Sequence, residues 1–217
     1  VAAKKYSDSK NNLWEAAKAG VTALLVSPEF IYQVEDGAAK KTDLNDYEIA
    51  TRLSYFLWSS TPDDRLLSLA RQGKLKNGSL LKQEVVRMIK DPKSGDFVKN
   101  FTDHWLDLKT LSSIQPNPKN DKIYYDYNLS KAMGDEVRLF ISDLMLNNRD
   151  ISSLVNANYS YLNEGLAKLY GVPGVKGEHL RKVSFPSELK GRGGLAGMAG
   201  LMAVTGNGIE SLPVKRG

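Results

Sequence analysis

The chain contains no cysteine and only two histidines, His104 and His179. Without cysteine, this segment has no disulfide, no thiolate nucleophile, no cysteine-bound metal and no covalent attachment point for a c-type haem. Two histidines are too few for a histidine metal cluster, and the HExxH spacing is absent. We therefore expect no metal site and no cofactor bound within this segment.

Long apolar runs are also missing. The most apolar stretch, Val21 to Val26, is far shorter than the roughly 18–20 residues that cross a membrane, so no membrane span is predicted. The polar opening VAAKKYSDSKNN is unlike a signal peptide, and we interpret the chain as part of a longer polypeptide. Its 217 residues, 41% apolar and 25% charged, are typical of a globular protein with a buried core.

Common catalytic signatures are absent as well, since the sequence has no GxSxG, no GxGxxG and no phosphate-binding loop. The net charge of +5 is mild, and from residue 176 onward seven Lys and Arg residues stand against three Glu. A basic end can face an acidic partner, although a solvated basic surface is the more common outcome. Basic and aromatic residues are not interleaved, so nucleic acid is not expected as a partner.

The pattern over residues 44–75 predicts two helices joined by a short, well-defined connection. Asn45 and Glu48 form a capping box for the first helix, whose apolar residues recur at helical spacing: Ile49, Leu53, Phe56 and Leu57. For the second helix we expect Thr61 as the N-cap and Pro62 at the first position. Asp63 and Asp64 then lie in the first turn, where they complement the helix dipole and need not form a catalytic pair.

The same periodicity predicts further helices over residues 9–27, 80–90 after a Ser79 cap, 97–108, 129–146, 151–155 and 163–171. The buried side of the first is assigned to Leu13, Ala16, Ala17, Val21, Leu24 and Leu25. Pro28 is expected to end it, and residues 30–32 are predicted as a short extended piece. Residues 112–127 hold two prolines and predict an irregular stretch, which is the best candidate for an internal boundary.

The C-terminal part differs in pattern. Residues 179–185 alternate like a strand, and residues 195–204 form an apolar, small-residue helix in which Gly197 and Gly200 allow another backbone to approach closely. The predicted fold is therefore mainly α, a helical bundle with a minor short β or extended element near residues 179–185.

The most site-like feature is Arg192-Gly193-Gly194, which precedes a predicted helix and offers a guanidinium and backbone N–H groups to an anion. Asn207, Lys215 and Arg216 could join it as further ligand-binding groups. His104 is the candidate for a general base, although Asp103, its neighbour in sequence, points away from it on a helix. A structural turn and a structural histidine are the simpler interpretations.

Several stretches together carry a family resemblance: RLSYFLWSSTPDDRLLSLARQGKL, RMIKDPKS, FTDHWLDL, YLNEGLAKLYGV, GRGGLAGMAGLMAVTGN and LPVKRG. They resemble a pair of adjacent domains of unknown function in planctomycete cytochrome C-type multidomain proteins. The resemblance implies an exported, extracytoplasmic bacterial protein with a c-type haem elsewhere in the full-length chain. His104 stands where this family usually has Gln, and Gly206 and Leu212 replace residues that are more often Ser.

The resemblance also divides the chain into residues 1–43, the end of a preceding helical domain, residues 44–115, a helical domain, and residues 126–217, a second, mostly helical domain. Packing of these parts as one unit is the open alternative. Two functions are compatible with the sequence. The first is a non-catalytic scaffold or interaction module that packs against other domains of the same polypeptide or against a cytochrome subunit. The alternative is an enzyme, an oxidoreductase or hydrolase acting on polysaccharide, with the basic C-terminal turn as its anion-binding site.

Overall fold

The computed structural model describes residues 13–32, 43–119, 121–186, 189, 192–206 and 214. It is mainly helical with one small antiparallel sheet, which confirms the predicted fold class. The elements in chain order are α1 (Leu13–Leu25), α2 (Pro28–Ile31), α3 (Asp46–Trp58), α4 (Asp64–Arg71), α5 (Gly78–Lys90), α6 (Gly95–Trp105), α7 (Lys122–Asp126), α8 (Leu129–Leu146), α9 (Ser153–Asn156), β1 (Tyr159–Leu162), α10 (Glu164–Tyr170), β2 (Arg181–Ser184) and α11 (Ala199–Val204). Short 3₁₀ helices lie at Pro92–Ser94, Leu108–Ser113 and Leu195–Gly197. Within the described ranges, none of the helices has the length and apolar character needed to span a bilayer.

The predicted capping box at the start of α3 is confirmed. The Asn45 side chain accepts a hydrogen bond from the Glu48 N–H at 2.8 Å, and Glu48 Oε2 accepts one from the Asn45 N–H at 2.6 Å. These two bonds satisfy N–H groups that the first turn of a helix leaves without a partner. The start of α3 is therefore determined by local sequence.

The caps of α4 and α5 correct the prediction. Asp63, not Thr61, is the N-cap of α4, and its carboxylate accepts from the Leu66 N–H at 2.9 Å. Asn77, not Ser79, caps α5. In both places an Asp or Asn stands within two residues of the predicted Thr or Ser, and it reaches the free N–H groups of the first turn.

Two hydrophobic clusters form the core of the described residues. The smaller is built by α3, α4 and α5 around Trp58, whose buried indole N–H donates to the Met88 carbonyl at 3.0 Å. The larger surrounds α8 and includes residues of α6, β1, α10 and α11. Phe97 of α6 packs against both clusters, so this helix connects the two parts of the core.

The helix α8 lies at the centre of the larger cluster and spans the predicted residues. Its predicted apolar face is buried, apart from Met145, which is half-buried: Met133, Val137, Phe140, Ile141 and Leu144 are all inaccessible or nearly so. Two acidic residues on the same helix, Glu136 and Asp143, are buried as well. The apolar pattern alone did not reveal them.

The predicted strand at 179–185 is confirmed as β2, whereas its partner β1 was not predicted. The two strands pair antiparallel, with Tyr159 opposite Ser184 and Leu162 opposite Arg181. Three of the four residues in β1 are buried, so the strand lacks the alternation of buried and exposed residues by which a surface strand is recognised.

The N-terminal prediction needs two corrections. Val21, Leu24 and Leu25, assigned to the buried side of α1, are about half or more exposed, although Ala16 is buried. Residues 28–31 form α2 because Ser27 caps a new helix with Pro28 at its first position. Periodicity identifies a helix, but burial also requires a neighbouring element in the right place.

Residues 112–127 are more regular than predicted, because a 3₁₀ helix and α7 occupy their two ends. The hydroxyls of Tyr124 and Tyr125 donate to the carbonyls of Ile114 and Pro116, at 3.0 and 2.5 Å. These bonds fold the proline-containing stretch back onto α7. The domain boundary proposed here stays a prediction.

The predicted helix over residues 195–204 is interrupted at Met198, which has an extended backbone, and only the part from Ala199 onward is α-helical. The predicted close approach of backbone at its glycines is confirmed. A Cβ on Gly197 would lie 2.7 Å from backbone atoms of Arg192, and one on Gly200 would lie 2.8 Å from the Met133 carbonyl oxygen. Glycine at position 200 lets α11 pack closely on α8, and glycine at position 197 lets the chain fold back against Arg192.

Candidate functional site

Four aromatic side chains form a continuous row across α3 and α6, which we call the aromatic row: Phe56, Phe97, Phe101 and Trp105. Consecutive ring centroids along the row are 5.0, 5.7 and 5.2 Å apart, within the range of favourable aromatic contacts. Phe101 is 43% exposed, Trp105 50% and Phe56 64%. The row is a large apolar feature left in contact with water.

The position of α6 explains why these rings lie outside. Val98 and Thr102 occupy its buried side, and an ion pair of 2.6 Å joins Asp103 of α6 to Arg138 of α8. On the other side, Asn100 donates to the Ser59 hydroxyl at 2.7 Å and ties α6 to the end of α3. Phe97, Phe101 and Trp105, spaced by four, therefore lie along one side of α6. Phe97 is half-buried against both clusters, and the other two rings are exposed.

The candidate His104 lies on α6 beside Trp105, with its side chain exposed. The neighbouring carboxylate, Asp103, is engaged by Arg138. A catalytic role for His104 stays a prediction.

The candidate anion site has partners inside the fold. The Arg192 guanidinium lies 4.7 Å from the centre of the Tyr170 ring, and the Gly194 N–H donates to the Ala157 carbonyl at 3.0 Å. Gly194 has φ +67°, and a Cβ there would lie 2.5 Å from the carbonyl oxygens of Leu154 and Val155. This turn therefore requires glycine for packing, while anion binding by Arg192, Gly193 and Gly194 stays a prediction. Asn207, Lys215 and Arg216 lie outside the described residues.

Asp143 is the hub of a polar cluster that the sequence did not predict. Its carboxylate accepts hydrogen bonds from four side chains, at 2.5 to 2.9 Å: Asn147, Arg149, Tyr159 and Lys182. Burial alone would raise the pKa of Asp143, but the donors, Lys182 first, hold it well below its usual range. Burial, followed by the hydrogen bond to Asp143, raises the pKa of Tyr159 to about 12.

Glu136 has a different environment. It is inaccessible to solvent and accepts hydrogen bonds from the Ser160 hydroxyl at 2.5 Å and the Tyr170 hydroxyl at 2.7 Å. Burial raises its pKa to about 7, although the two hydroxyls and the more distant Arg192 act in the opposite direction.

Glu84 is the buried acid of the smaller cluster. Arg65 Nη2 and Arg87 Nε donate to it at 2.6 and 2.7 Å, and Arg87 also donates to the α4 cap, Asp63, at 2.8 Å. Burial alone would raise the pKa of Glu84, but the two guanidinium groups hold it below its usual range. This cluster connects α4 to α5.

A cleft of about 810 Å³ lies between α7, the first turns of α8, the start of α10 and residues 177–180. Glu164 on its wall is held by the Gly177 N–H at 3.0 Å and by Lys168 at 2.9 Å, and these bonds lower its pKa to about 2. His179 also lines the cleft.

Among the residues that the structure describes, no group of three or more His, Cys, Asp or Glu side chains is placed to hold a metal ion.

The aromatic row is the candidate functional site that this geometry favours, because the buried carboxylates are already bonded within the fold. In the sequence, Phe97, Phe101 and Trp105 recur at the helical spacing that predicts this helix, α6. Their helical spacing places them on one side of a helix, but it does not tell which side other elements of the fold cover.

A family model described as PSD4, protein of unknown function (DUF1592), matches residues 44–172, more than half of the chain. Neither a curated protein nor a solved structure matches the chain significantly.

Proposed function

Since the chain belongs to the PSD4 family of proteins of unknown function (DUF1592), we propose from its surface that it is a non-catalytic helical interaction module. The aromatic row is its docking surface. Aromatic residues are enriched at the cores of protein interfaces and often supply much of the binding energy. The observation that carries the proposal is the exposure of three of the four rings on a face that two packed helices hold in place.

The buried polar groups support a structural role for the rest of the molecule. Glu84, Glu136 and Asp143 each accept at least two hydrogen bonds from side chains of the fold. Such groups connect helices to one another and strengthen a fixed scaffold.

We propose further that the partner is a c-type haem domain, carried by the same polypeptide or by a cytochrome subunit, in an extracytoplasmic bacterial protein. The resemblance to planctomycete cytochrome C-type proteins supports this partner and this location. The haem would be attached outside this segment, which has no cysteine for covalent attachment. The aromatic row would lie against the haem domain.

The first experiment is the intact mass and the visible absorption spectrum of the native full-length polypeptide. A Soret band together with a haem-sized increase in mass is expected. A colourless polypeptide without that added mass would remove the haem domain as an intramolecular partner and leave a separate cytochrome subunit to be tested.

Hydroxyl-radical footprinting of the same native polypeptide then tests the docking surface. Trp105 and Tyr125 have comparable exposure in this chain, 50% and 44%, so Tyr125 is a matched control after each labelling rate is divided by its rate in the denatured protein. Docking predicts strong protection of Trp105 and Phe101 but not of Tyr125. Equal labelling of Trp105 and Tyr125 would contradict the proposal.

A further inference from the structure

Glu136 lies in the middle of α8, and the C-terminal segment 192–204 packs beside it. Gly200 approaches the Met133 carbonyl, three residues before Glu136, and the Val137 side chain, one residue after it. The segment therefore covers the turns of α8 that carry the buried carboxylate.

Tyr170 links this carboxylate to the segment through a single hydroxyl. Its O–H donates to Glu136 Oε2 at 2.7 Å, and its oxygen accepts the Ala199 N–H at 2.7 Å. The Arg192 guanidinium covers the ring of the same tyrosine at 4.7 Å. The start of the segment, at Arg192, and its middle, at Ala199, are thus attached to Tyr170.

We propose that Glu136 is a proton-sensitive latch that controls, through Tyr170, how firmly residues 192–204 pack on α8. A protonated carboxyl can remain buried at little cost, whereas an ionised one loses its hydration. Separation of the segment from α8 would return water to an ionised Glu136. The latch is therefore closed when Glu136 is protonated and loosens when it ionises.

The groups that face Glu136 set the pH range of this change. From the packed elements these are Ser160 of β1, Tyr170 of α10 and Arg192 of the segment, and α11 itself has no ionisable side chain. Arg192 is the only cation among these three groups. Burial raises the pKa of Glu136 to about 7, which places the transition near neutral pH.

Hydrogen exchange of the Ala199 amide, which donates to the Tyr170 hydroxyl, tests the latch in the 217-residue chain, with rates corrected for the pH dependence of unstructured peptides. Protection is expected to fall about ten-fold between pH 6 and pH 8, the change given by linkage when opening returns the pKa from about 7 to its usual range. The Leu166 amide, which donates to the Asn163 side chain at 3.0 Å, serves as the reference in the same cluster.

The variant Glu136→Gln removes the titration, and its Ala199 protection should be the same at pH 6 and pH 8. The wild-type measurement alone can overturn the proposal, since it does not depend on the variant folding. Constant Ala199 protection from pH 6 to pH 8, an equal loss at Leu166, or an unchanged pH dependence in Glu136→Gln would each refute the latch.

Discussion

Glu84 and Glu136 are the same residue type, both lie on helices, and neither side chain is accessible to solvent. Their pKa values nevertheless move in opposite directions. Two arginines in direct contact hold the pKa of Glu84 below its usual range, whereas Glu136 receives only two neutral hydroxyls and burial raises its pKa to about 7. Burial favours the neutral form of both acids, and the comparison shows that the two guanidinium groups beside Glu84 outweigh this effect, whereas the hydroxyls beside Glu136 do not.

The largest expected effect comes from neutralising Glu84. The variant Glu84→Gln should lower the free energy of unfolding at pH 7 by about 2–3 kcal/mol, because it removes the buried carboxylate that joins Arg65 to Arg87 and leaves Arg87 paired with Asp63 alone. Arg65 is mostly exposed and can be rehydrated. Urea denaturation measures the change, and Glu136→Gln is the matched control, with a smaller effect expected. Equal losses in the two variants would contradict the comparison.

The second-largest expected effect is a difference between Glu136 and Glu84 in how their contributions to stability depend on pH. A raised pKa means that the folded protein holds a proton that the unfolded chain has released. The contribution of Glu136 is therefore complete below its ordinary pKa of 4.5 and is lost as the pH rises to about 7. The expected loss is about 2 kcal/mol between pH 5 and pH 7.

Chemical denaturation across this pH range measures that loss, and Glu136→Gln should remove it. The pKa of Glu84 is lowered, so its contribution is present above pH 4.5 and declines only as the pH falls further. If the free energy of unfolding changed between pH 5 and pH 7 by the same amount in wild type and in Glu136→Gln, burial would not raise the pKa of Glu136 as described.

A smaller effect is expected from Tyr170→Phe, which removes the donor to Glu136 and the acceptor of the Ala199 N–H. The loss should be about 1–2 kcal/mol, since a buried N–H is left without a partner. The matched control is Tyr125→Phe, because its hydroxyl bond to Pro116 is exposed and its loss should be barely measurable. Thermal unfolding of both variants at the same pH gives the comparison.

The smallest effect on stability is expected at the aromatic row, from the double variant Phe101→Ser and Trp105→Ser. Both rings are about half exposed, so the loss should be well below the roughly 3–5 kcal/mol that truncating a buried aromatic residue costs. In the full-length polypeptide the same variant should abolish the protection of Phe56, the remaining exposed ring of the row, from hydroxyl-radical labelling. A loss as large as that of Glu84→Gln would identify the row as core and would contradict its role as a docking surface.

Local sequence determined much of the fold. The capping box at Asn45 and the bounds of α8 are confirmed, because each depends on residues within one or two helical turns. The strand at 181–184 was also found from its own pattern. These features need no knowledge of the rest of the chain.

Only the tertiary structure decided which helix faces are covered and which charges meet. The apolar stripes of α1 and α6 are visible in the sequence, yet α1 exposes Val21 and Leu24, and α6 exposes Phe101 and Trp105. Glu84 meets Arg65, 19 positions away, and Glu136 meets Tyr170, 34 positions away. Burial and pKa depend on such distant neighbours, and periodicity along a single helix contains no information about them.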